Sequence, residues 1–337
     1  MTMGAKYTVA TLCMTYNHAS YIEDTLNGFI IQKTTFPIVY IIVDDNSTDG
    51  EPQLLEEWAN NHLQTDNTIA WNEKSYGKLA VAAVKGNPNA SFVILLLNEN
   101  YYRKGRHDLK LQMVSEWYDN AKYKSICEGD DYWVDPMKLQ KQVDFLEKHN
   151  DYGLVYTKAR VYDQSVRKFK GTIGFESEGF SDLLMNNGIP TLTALYRSDL
   201  LDGYNEVVDE KEYKMGDKPL FLYIASKSKI HFINSISGTY RKLNTSATSR
   251  NSYTGRLAFI ESSVDVQRLF ASKYDQCKLP LIENNRYIYL FHAAIQFKKY
   301  NEGIQFYNKI KSPSLRLKMQ FVVCKLLLFF KPSSKSN

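Results

Sequence analysis

Residues 36–50 read FPIVYIIVDDNSTDG, an apolar run that ends in two adjacent aspartates and a polar turn. The branched and aromatic side chains of the run are typical of a buried strand, and NSTDG is typical of a turn. The next segment, EPQLLEEWANNH, has the apolar spacing of a helix. Because ligands of open α/β sheets bind at the carboxyl ends of the strands, Asp44 and Asp45 are candidate binding residues.

Strand and helix patterns alternate along the first half of the chain. Apolar strand patterns occupy 7–17, 91–97, 123–127 and 152–163, and amphipathic helix patterns occupy 20–33 and 137–149. This order predicts an α/β fold whose mainly parallel sheet is covered by helices on both faces. The less regular segments are predicted to form a strand at 67–71, a strand at 191–197, a helix at 217–227, two short strands at 229–241, a polar loop at 242–255 and helices from 256 onward.

A second acidic group lies in ICEGDDYWVDP, residues 126–136. Glu128, Asp130 and Asp131 repel one another unless a positive charge lies beside them, and their oxygen atoms suit a hard divalent cation. A simpler explanation also stands, because Asp135 and Pro136 are typical of a helix start and acids gather near helix N-termini.

The composition excludes some classes of protein. The chain has 337 residues, with 42 Lys and Arg against 37 Asp and Glu and a formal net charge of +5. This bias is too small to indicate a nucleic acid as partner. The four cysteines form no CxxC or Cys/His cluster, which favours a reducing compartment. Because the N-terminal residues lack the apolar core of a signal peptide, we expect a cytoplasmic protein.

The segment LRLKMQFVVCKLLLFFKP at 315–332 is strongly apolar and yet carries four cations, Arg316, Lys318, Lys325 and Lys331. Its uninterrupted apolar core is shorter than the ~20 residues that a membrane span requires. Two interpretations stand. The segment is either an interfacial helix at the inner face of an anionic membrane, or a terminal helix docked on the body of the protein.

Two long motifs, TYNHASYIEDTLNGFIIQKTTFPIVYIIVDDNSTDG and CEGDDYWVDPMKLQKQVDFLEKH, occur in this order. Together they resemble the family 2 glycosyltransferases of the GT-A fold, above all the bacterial members that build surface polysaccharides. The resemblance covers residues 7–241. It implies a GT-A domain at 1–255, with a nucleotide-binding half at 1–135 and an acceptor half at 136–255, followed by a helical C-terminal region at 256–337.

The resemblance also implies an activity. It is inverting, metal-dependent transfer of a sugar from a nucleotide-diphosphate donor, with UDP favoured, to a saccharide or a lipid-linked saccharide. Two alternatives remain open, a sugar nucleotidyltransferase and a carbohydrate-binding relative without activity. The first of these normally has a glycine-rich phosphate loop after the first strand, where this chain has Thr-Tyr-Asn-His.

The resemblance assigns nucleotide-binding roles to five residues, Thr15, Tyr16, Asn17, Asp44 and Asp45. Tyr16 is expected to stack near the base and Asp45 to accept from the uracil N3–H, because a carboxylate can accept a bond from an imide donor. Asp44 has an equally good explanation as a turn acid that accepts from the N–H groups of the following residues.

The metal motif of the family is Asp-x-Asp-Asp, whereas this chain has Glu128-Gly129-Asp130-Asp131. Asp131 is expected to bind Mg²⁺ or Mn²⁺, and Asp130 to contact the ion and the sugar or ribose. The substitution of Glu for the first Asp leaves open which acid meets the ion directly and which acts through water or the ribose, and Glu128 is expected to be a donor-binding residue.

The remaining assignments lie in the second half of the chain. In MGDKPLFLY the resemblance makes Asp217 the general base, although an Asp two residues before Pro219 is also a good helix cap. Arg241 is either a phosphate ligand or an ordinary surface residue. Three residues are expected to face the acceptor, Thr191, Thr193 and Trp133.

Overall fold

The computed structural model describes residues 5–64, 68–209, 213–243 and 252–329, apart from the side chains of His107 and Phe329. The described residues form two compact units. The first unit takes those within Met1–Gly179, Gly188–Asp202 and Lys227–Leu243, and the second takes those within Phe180–Asn187, Gly203–Ser226 and Asn244–Asn337. The domain boundary at residue 255 stays a prediction. Most of the polar loop predicted at 242–255 lies outside the described residues.

The described strands all belong to the first unit and form one eleven-stranded sheet in the order β3-β4-β5-β2-β1-β6-β10-β8-β11-β7, with β9 paired to β8. They are β1 (Tyr7–Thr15), β2 (Ile38–Asp44), β3 (Asn72–Lys74), β4 (Gly77–Val84), β5 (Asn87–Leu97), β6 (Ala121–Ile126), β7 (Tyr132–Trp133), β8 (Tyr152–Asp163), β9 (Lys168–Ile173), β10 (Leu195–Arg197) and β11 (Lys229–Lys242). The central strands β5, β2, β1 and β6 are parallel, as are β8 and β11, and the other pairs are antiparallel.

Helices cover both faces of the central sheet, as predicted. They are α1 (Ile22–Ile30), α2 (Glu51–His62), α3 (His107–Tyr118) and α4 (Lys138–Lys148). Alternate residues of β2 point to opposite faces, so that Tyr40 and Ile42 pack with α1, α2 and α4, whereas Ile41 and Val43 pack with α3. The strands between these two layers are buried on both faces, which explains their nearly continuous apolar sequence.

Register brings three polar strand ends to one edge of the sheet. Thr15 is paired with Asp44 at the ends of β1 and β2. On the other side of β1, the N–H of Cys127 donates to Leu12 O at 3.0 Å and the N–H of Gly129 donates to Met14 O at 3.2 Å. The acidic segment that follows β6 therefore runs alongside the end of β1, next to the turn that follows β2.

Three of the weaker predictions are corrected. No strand forms over 68–71 in the described part of the chain, and the hairpin β3–β4 follows it instead. Residues 191–193 form a 3-10 turn, so the strand predicted there is limited to Leu195–Arg197. Residues 229–242 form one long strand with register shifts rather than two short strands, because β8 pairs with β11 along its whole length.

The second unit is helical in its described residues. Its helices are α5 (Phe180–Met185), α6 (Tyr204–Val207), α7 (Asp217–Lys227), α8 (Tyr253–Tyr274), α9 (Leu279–Gln296), α10 (Tyr300–Tyr307) and α11 (Leu315–Phe329). Phe291, Ile310 and Leu317 are buried together in a core between α9, α10 and α11. Within the described residues, we find no helix with both the length and the apolar character needed to cross a membrane.

A buried lysine begins α4 in the first unit. Lys138 is 1% exposed, and its Nζ donates to Gln142 Oε1 at 2.9 Å and lies 4.1 Å from the ring centroid of Trp133. Burial disfavours the ammonium form and lowers the pKa of Lys138 to about 7.

We expect this lysine to make stability depend on pH. Above pH 7 folded Lys138 loses its proton, whereas the unfolded chain keeps it up to the ordinary value of 10.5. The free energy of unfolding therefore rises with pH across this window, by at most about 1.4 kcal/mol per pH unit. We expect Lys138→Met to remove this rise of the unfolding free energy with pH. Urea unfolding on either side of pH 7 measures the rise. Lys148→Met, an exposed change on the same helix, keeps it, and an unaltered slope in Lys138→Met would contradict the assignment.

Candidate active site

Asp45 organises the loop that follows β5. Its carboxylate is 3% exposed and accepts from the N–H groups of Tyr101 at 2.8 Å and Tyr102 at 3.1 Å. Lys110 Nζ donates to Asp45 Oδ2 at 2.9 Å, and both side chains of this ion pair are buried. Asn100 Nδ2 also donates to the main-chain oxygen of Asp45 at 2.9 Å. Asp45 thus fixes the 98–106 loop next to the end of β2.

Asp44 is fully buried one residue earlier. Its Oδ1 accepts from the N–H of Ser47 at 3.0 Å, so the turn-acid explanation is confirmed for this oxygen. Its Oδ2 is buried and has no hydrogen-bond partner among the described residues. Burial raises the pKa of Asp44, while its bonds with Ser47 oppose that shift.

Glu51, which sequence reasoning missed, joins the ends of β1 and β2. It is 0% exposed and accepts from Thr15 Oγ1, from the N–H of His18 at 2.8 Å and from Ser47 Oγ at 2.9 Å. Burial raises its pKa to about 7. In sequence it looks like an ordinary acid in the first turn of a helix, and only the pairing of β1 with β2 brings it to Thr15 and His18.

Hydrogen bonds with the turn after β2 hold the turn after β1 in place. Asn17 adopts a φ of 56°, in the left-handed region that Asn tolerates better than most residues. Its N–H donates to Ser47 Oγ at 2.8 Å, and its Oδ1 accepts from the N–H of Thr48 at 2.8 Å. Tyr16 lies beside the turn, and the Arg103 guanidinium is 5.4 Å from its ring centroid. Tyr16 and Arg103, a residue not predicted from sequence, therefore form a cationic and aromatic pair near the strand ends.

The acidic segment packs against this turn through Gly129. A Cβ at Gly129 would lie 2.2 Å from Thr15 Oγ1 and 3.1 Å from His18 Nδ1, so only glycine allows this approach. Asp130 and Asp131 are 7% and 5% exposed, whereas Glu128 is exposed. The structure thus separates the three acids into one at the surface and two inside.

Burial raises the pKa of both inner acids. The charge of Asp130 adds to the shift at Asp131, while His18 and Arg241 favour the ionised form of Asp130. Burial in turn lowers the pKa of His18, against the charges of Asp130 and Asp49. Negative charge at this edge is therefore only partly compensated by the protein's own cations.

Arg241 clamps the acidic segment from β11. Its main-chain N–H donates to Asp131 Oδ1 at 2.8 Å and its Nε donates to Asp130 O at 2.9 Å. Nη1 donates to Gln164 Oε1 at 3.0 Å and Nη2 to Asp24 Oδ2 at 2.6 Å. Arg241 is 6% exposed. All three guanidinium nitrogens are engaged within the chain, so Arg241 is a positioning residue in this structure rather than a surface cation.

The donor set at this edge fits a divalent cation of the oxygen-loving kind. Within the part of the chain that the structure describes, no three His, Cys, Asp or Glu side chains converge into a complete metal cage. Mg²⁺ rarely has such a cage, because it keeps water and takes one or two carboxylates together with substrate phosphates. Asp130 and Asp131 supply two partly buried carboxylates whose ionised forms a cation would stabilise.

Two of the expected acceptor residues are core residues, which corrects the sequence-based expectation. Trp133 is 1% exposed, donates from Nε1 to Leu192 O at 2.7 Å and packs edge-on against Phe29. Thr193 is 0% exposed, and its Oγ1 donates to Thr157 O at 3.0 Å. Neither side chain reaches a surface where an acceptor would bind. Thr191, which is partly exposed, stays a prediction.

Asp217 belongs to the second unit, where it begins α7. The side chain is half-buried and its Oδ1 accepts from the N–H of Lys218 at 2.8 Å. Lys218 Nζ donates to Ser263 Oγ at 2.7 Å, and burial lowers the pKa of Lys218 to about 8.

Residues 12–91 match the family model described as glycosyl transferase family 2, and this stretch includes the turn after β1, Asp44, Asp45 and Glu51. This part of the chain is similar to the family 2 glycosyltransferases. Over 192 residues it is 29% identical to uncharacterized proteins of Mycobacterium bovis and Mycobacterium tuberculosis. This match covers 56% of the chain and 46% of each relative, so the chain spans about half the length of the curated relatives it matches.

Solved structures show the same fold. TarS 1–349 of S. aureus, in complex with UDP-GlcNAc, has a TM-score of 0.55 at 17% identity, covering 94% of this chain and 79% of that chain. The mannosyltransferase PcManGT of Pyrobaculum calidifontis, in complex with GDP-Man and Mn²⁺, has a TM-score of 0.54 at 15% identity, covering 98% and 82%. The GT-A fold expected from the sequence is confirmed.

Glu51 offers a direct test of how the candidate site is held together. Glu51→Ala leaves Thr15, Ser47 and the N–H of His18 without their acceptor. We expect the free energy of unfolding to fall by about 3 kcal/mol or more, since each of the three orphaned donors costs about 1–3 kcal/mol. Amide hydrogen exchange at His18 is expected to accelerate at the same time.

Two variants complete this test. Glu51→Gln keeps the shape and two acceptor lone pairs, so we expect a loss below about 1 kcal/mol. Glu57→Ala removes an exposed acid from the same helix and is expected to leave stability unchanged. Equal stability of Glu51→Ala and Glu57→Ala would show that Glu51 does not join β1 to β2.

Proposed function

We propose that the protein is an inverting glycosyltransferase that moves a sugar from a nucleotide-diphosphate donor, with UDP favoured, to a saccharide acceptor in surface polysaccharide synthesis. The observation that carries the proposal is the approach of the segment with two buried acids, Asp130 and Asp131, to the Thr15–His18 turn, which lies in the stretch that matches the family 2 model. A nucleotide diphosphate needs both features, a polar turn for the nucleoside and acids for a cation that offsets the phosphates.

The nucleoside side of the proposed site is the edge formed by the turns after β1 and β2. Tyr16 and the neighbouring Arg103 offer an aromatic face and a cation to a base and a phosphate. Asp44 retains one buried carboxylate oxygen without a partner in the described chain. Asp45 is held by three donors, and its proposed contact with the uracil N3–H uses a remaining lone pair.

The phosphate side is the acidic segment, where Asp131, with Asp130 beside it, holds Mg²⁺ or Mn²⁺ in our proposal. Bound there, the ion supplies Lewis-acid stabilisation of the diphosphate leaving group. Arg241 keeps both acids in place through its main-chain N–H and its Nε. Glu128 is exposed, and its proposed role is a contact with the ribose, directly or through water.

The transfer itself requires a base for the acceptor hydroxyl. In the proposed step the acceptor oxygen forms a bond to the anomeric carbon, the bond from that carbon to the diphosphate breaks, and Asp217 takes the hydroxyl proton. Support for Asp217 comes from the sequence motif MGDKPLFLY and from its half-buried position at the first residue of α7.

The proposal includes a lipid-linked saccharide as one form of the acceptor and a cytoplasmic location. Cys13, Cys127 and Cys324 are buried free thiols and Cys277 is an exposed one, which fits a reducing compartment.

Asp131→Asn tests the metal site without breaking the clamp. The Asn Oδ1 can still accept from the N–H of Arg241, while the charge and one oxygen are lost. We expect the affinity for Mn²⁺ to fall when UDP is present, and calorimetry or electron paramagnetic resonance measures this affinity. Loss of a residue that only supports a metal ligand lowers metal affinity about 10–100-fold, and we expect a larger loss here.

Asp135→Asn is the matched control for this measurement, because it removes an acid from the same segment. Asp135 accepts from the N–H of Met137 at 2.9 Å and pairs with Lys141, so it is already engaged at the start of α4. Wild-type Mn²⁺ affinity in Asp131→Asn would remove this carboxylate from the metal site.

Asp217→Asn tests the base. We expect the turnover number to fall by about 10²–10⁴-fold, the usual contribution of general-base catalysis, with donor affinity unchanged. The measurement pairs a transfer assay with a nucleotide-sugar titration of the same protein.

Asp209→Asn, an exposed acid of the same unit, serves as the control and is expected to keep full turnover. Full activity of Asp217→Asn would exclude Asp217 as the base. Retained nucleotide-sugar binding in that variant would still support the donor half of the proposal.

A further inference from the structure

Helix α11 has two apolar faces on opposite sides. Its inner face carries Leu317 and Cys324, which are 8% and 1% exposed, and Phe321, whose ring stacks on Tyr307 with centroids 3.9 Å apart. These contacts dock the helix on α9 and α10. The docked-helix interpretation of this segment is therefore correct for one face only.

The outer face presents a continuous apolar stripe to the outside of the second unit. Its members are Leu315, Met319, Val322, Val323, Leu326 and Leu327, which are between 45% and 75% exposed. Their spacing of three and four residues places them on one side of a helix with 3.6 residues per turn. We call these six residues the outer stripe. No other described helix carries as many of the exposed large apolar side chains.

Cations flank the outer stripe. Helical geometry places Lys318 and Lys325 along one border, and it places Arg316 within the stripe, between Val323 and Leu327. Residues 303–337 contain seven Lys and Arg and no Asp or Glu. Exposed apolar residues flanked by long cationic side chains are typical of a helix that lies in a lipid interface, because the aliphatic stems lie along the acyl region while the charges reach the headgroups.

We propose that the outer stripe of α11 docks the protein on an anionic lipid surface. Charge decides between this partner and a second copy of the chain. Two copies joined through their outer stripes would bring cations against cations, with no acid from residues 303–337 to balance them. This inference does not depend on the proposed transfer reaction.

Co-sedimentation of the full chain with vesicles tests the proposal. One set of vesicles is pure phosphatidylcholine, and the other contains phosphatidylglycerol as well. We expect binding to the second set only, weakening as salt is raised, because a basic segment near an anionic surface is screened over a Debye length.

Two double variants separate the apolar and the electrostatic contributions. Val322→Ser with Leu326→Ser removes two apolar side chains from the outer stripe. Lys318→Gln with Lys325→Gln removes the charges of the two lysines that border it. We expect each to lower the partition coefficient on the anionic vesicles about tenfold or more. The inner-face residues are untouched, so thermal melting and affinity for UDP are expected to match the wild type.

Matched controls come from elsewhere in the chain. Leu281→Ser removes an exposed apolar side chain from α9, and Lys168→Gln with Lys170→Gln removes two exposed lysines from β9. Both are expected to bind vesicles like the wild type. Binding that both α11 variants retain, or no binding of the wild type to either vesicle, would overturn the proposal. A dimer that Val322→Ser with Leu326→Ser dissociates, without vesicle binding, would assign the stripe to a second copy.

Discussion

The N–H of Arg241 donates to Asp131 Oδ1, and its guanidinium reaches Asp130 O and Asp24. This clamp joins β11, the acidic segment and α1, three parts of the chain that are far apart in sequence. Two buried carboxylates next to each other destabilise a fold unless their positions and their charge are compensated. Arg241 fixes the position of both acids and offsets their charge only in part.

The acids at this edge have different tasks although they look alike in sequence. Asp45 and Glu51 are acceptors for the protein itself, since Asp45 holds the 98–106 loop and Glu51 holds the turn after β1. Asp130 and Asp131 are the pair whose ionised forms burial opposes. The first two acids fix the outline of the candidate site, and the second two are buried carboxyl groups whose ionised forms a nearby cation would stabilise. A change in either pair would act on the site by a different route.

Much of the fold follows from local pattern. The strands β1, β2, β5 and β8 are long and apolar, so their positions were predictable, as was the cluster of polar strand ends at one edge. The 229–242 strand was not, because INSIS interrupts the alternation and only the pairing with β8 along its whole length keeps it one strand. Glu51, Arg103 and the clamp by Arg241 depend on contacts between distant segments, and a single sequence carries no signal for these. Trp133 and Thr193 resembled binding residues because burial in the core and contact with a ligand both favour aromatic and hydroxyl side chains.

Helix α11 shows how one sequence pattern can satisfy two interpretations at once. A helix that is apolar almost all round is usually buried on all sides, yet this one turns Leu317, Phe321 and Cys324 inward and six large apolar residues outward. The two lysines occupy the narrow sector on one side between the two faces, and Arg316 lies among the outer residues. An inner face alone would stabilise the helical unit with polar residues outside. The apolar outer stripe adds nothing to that packing and exposes hydrophobic area to water, so its place beside these cations is explained by a partner that is both apolar and negatively charged.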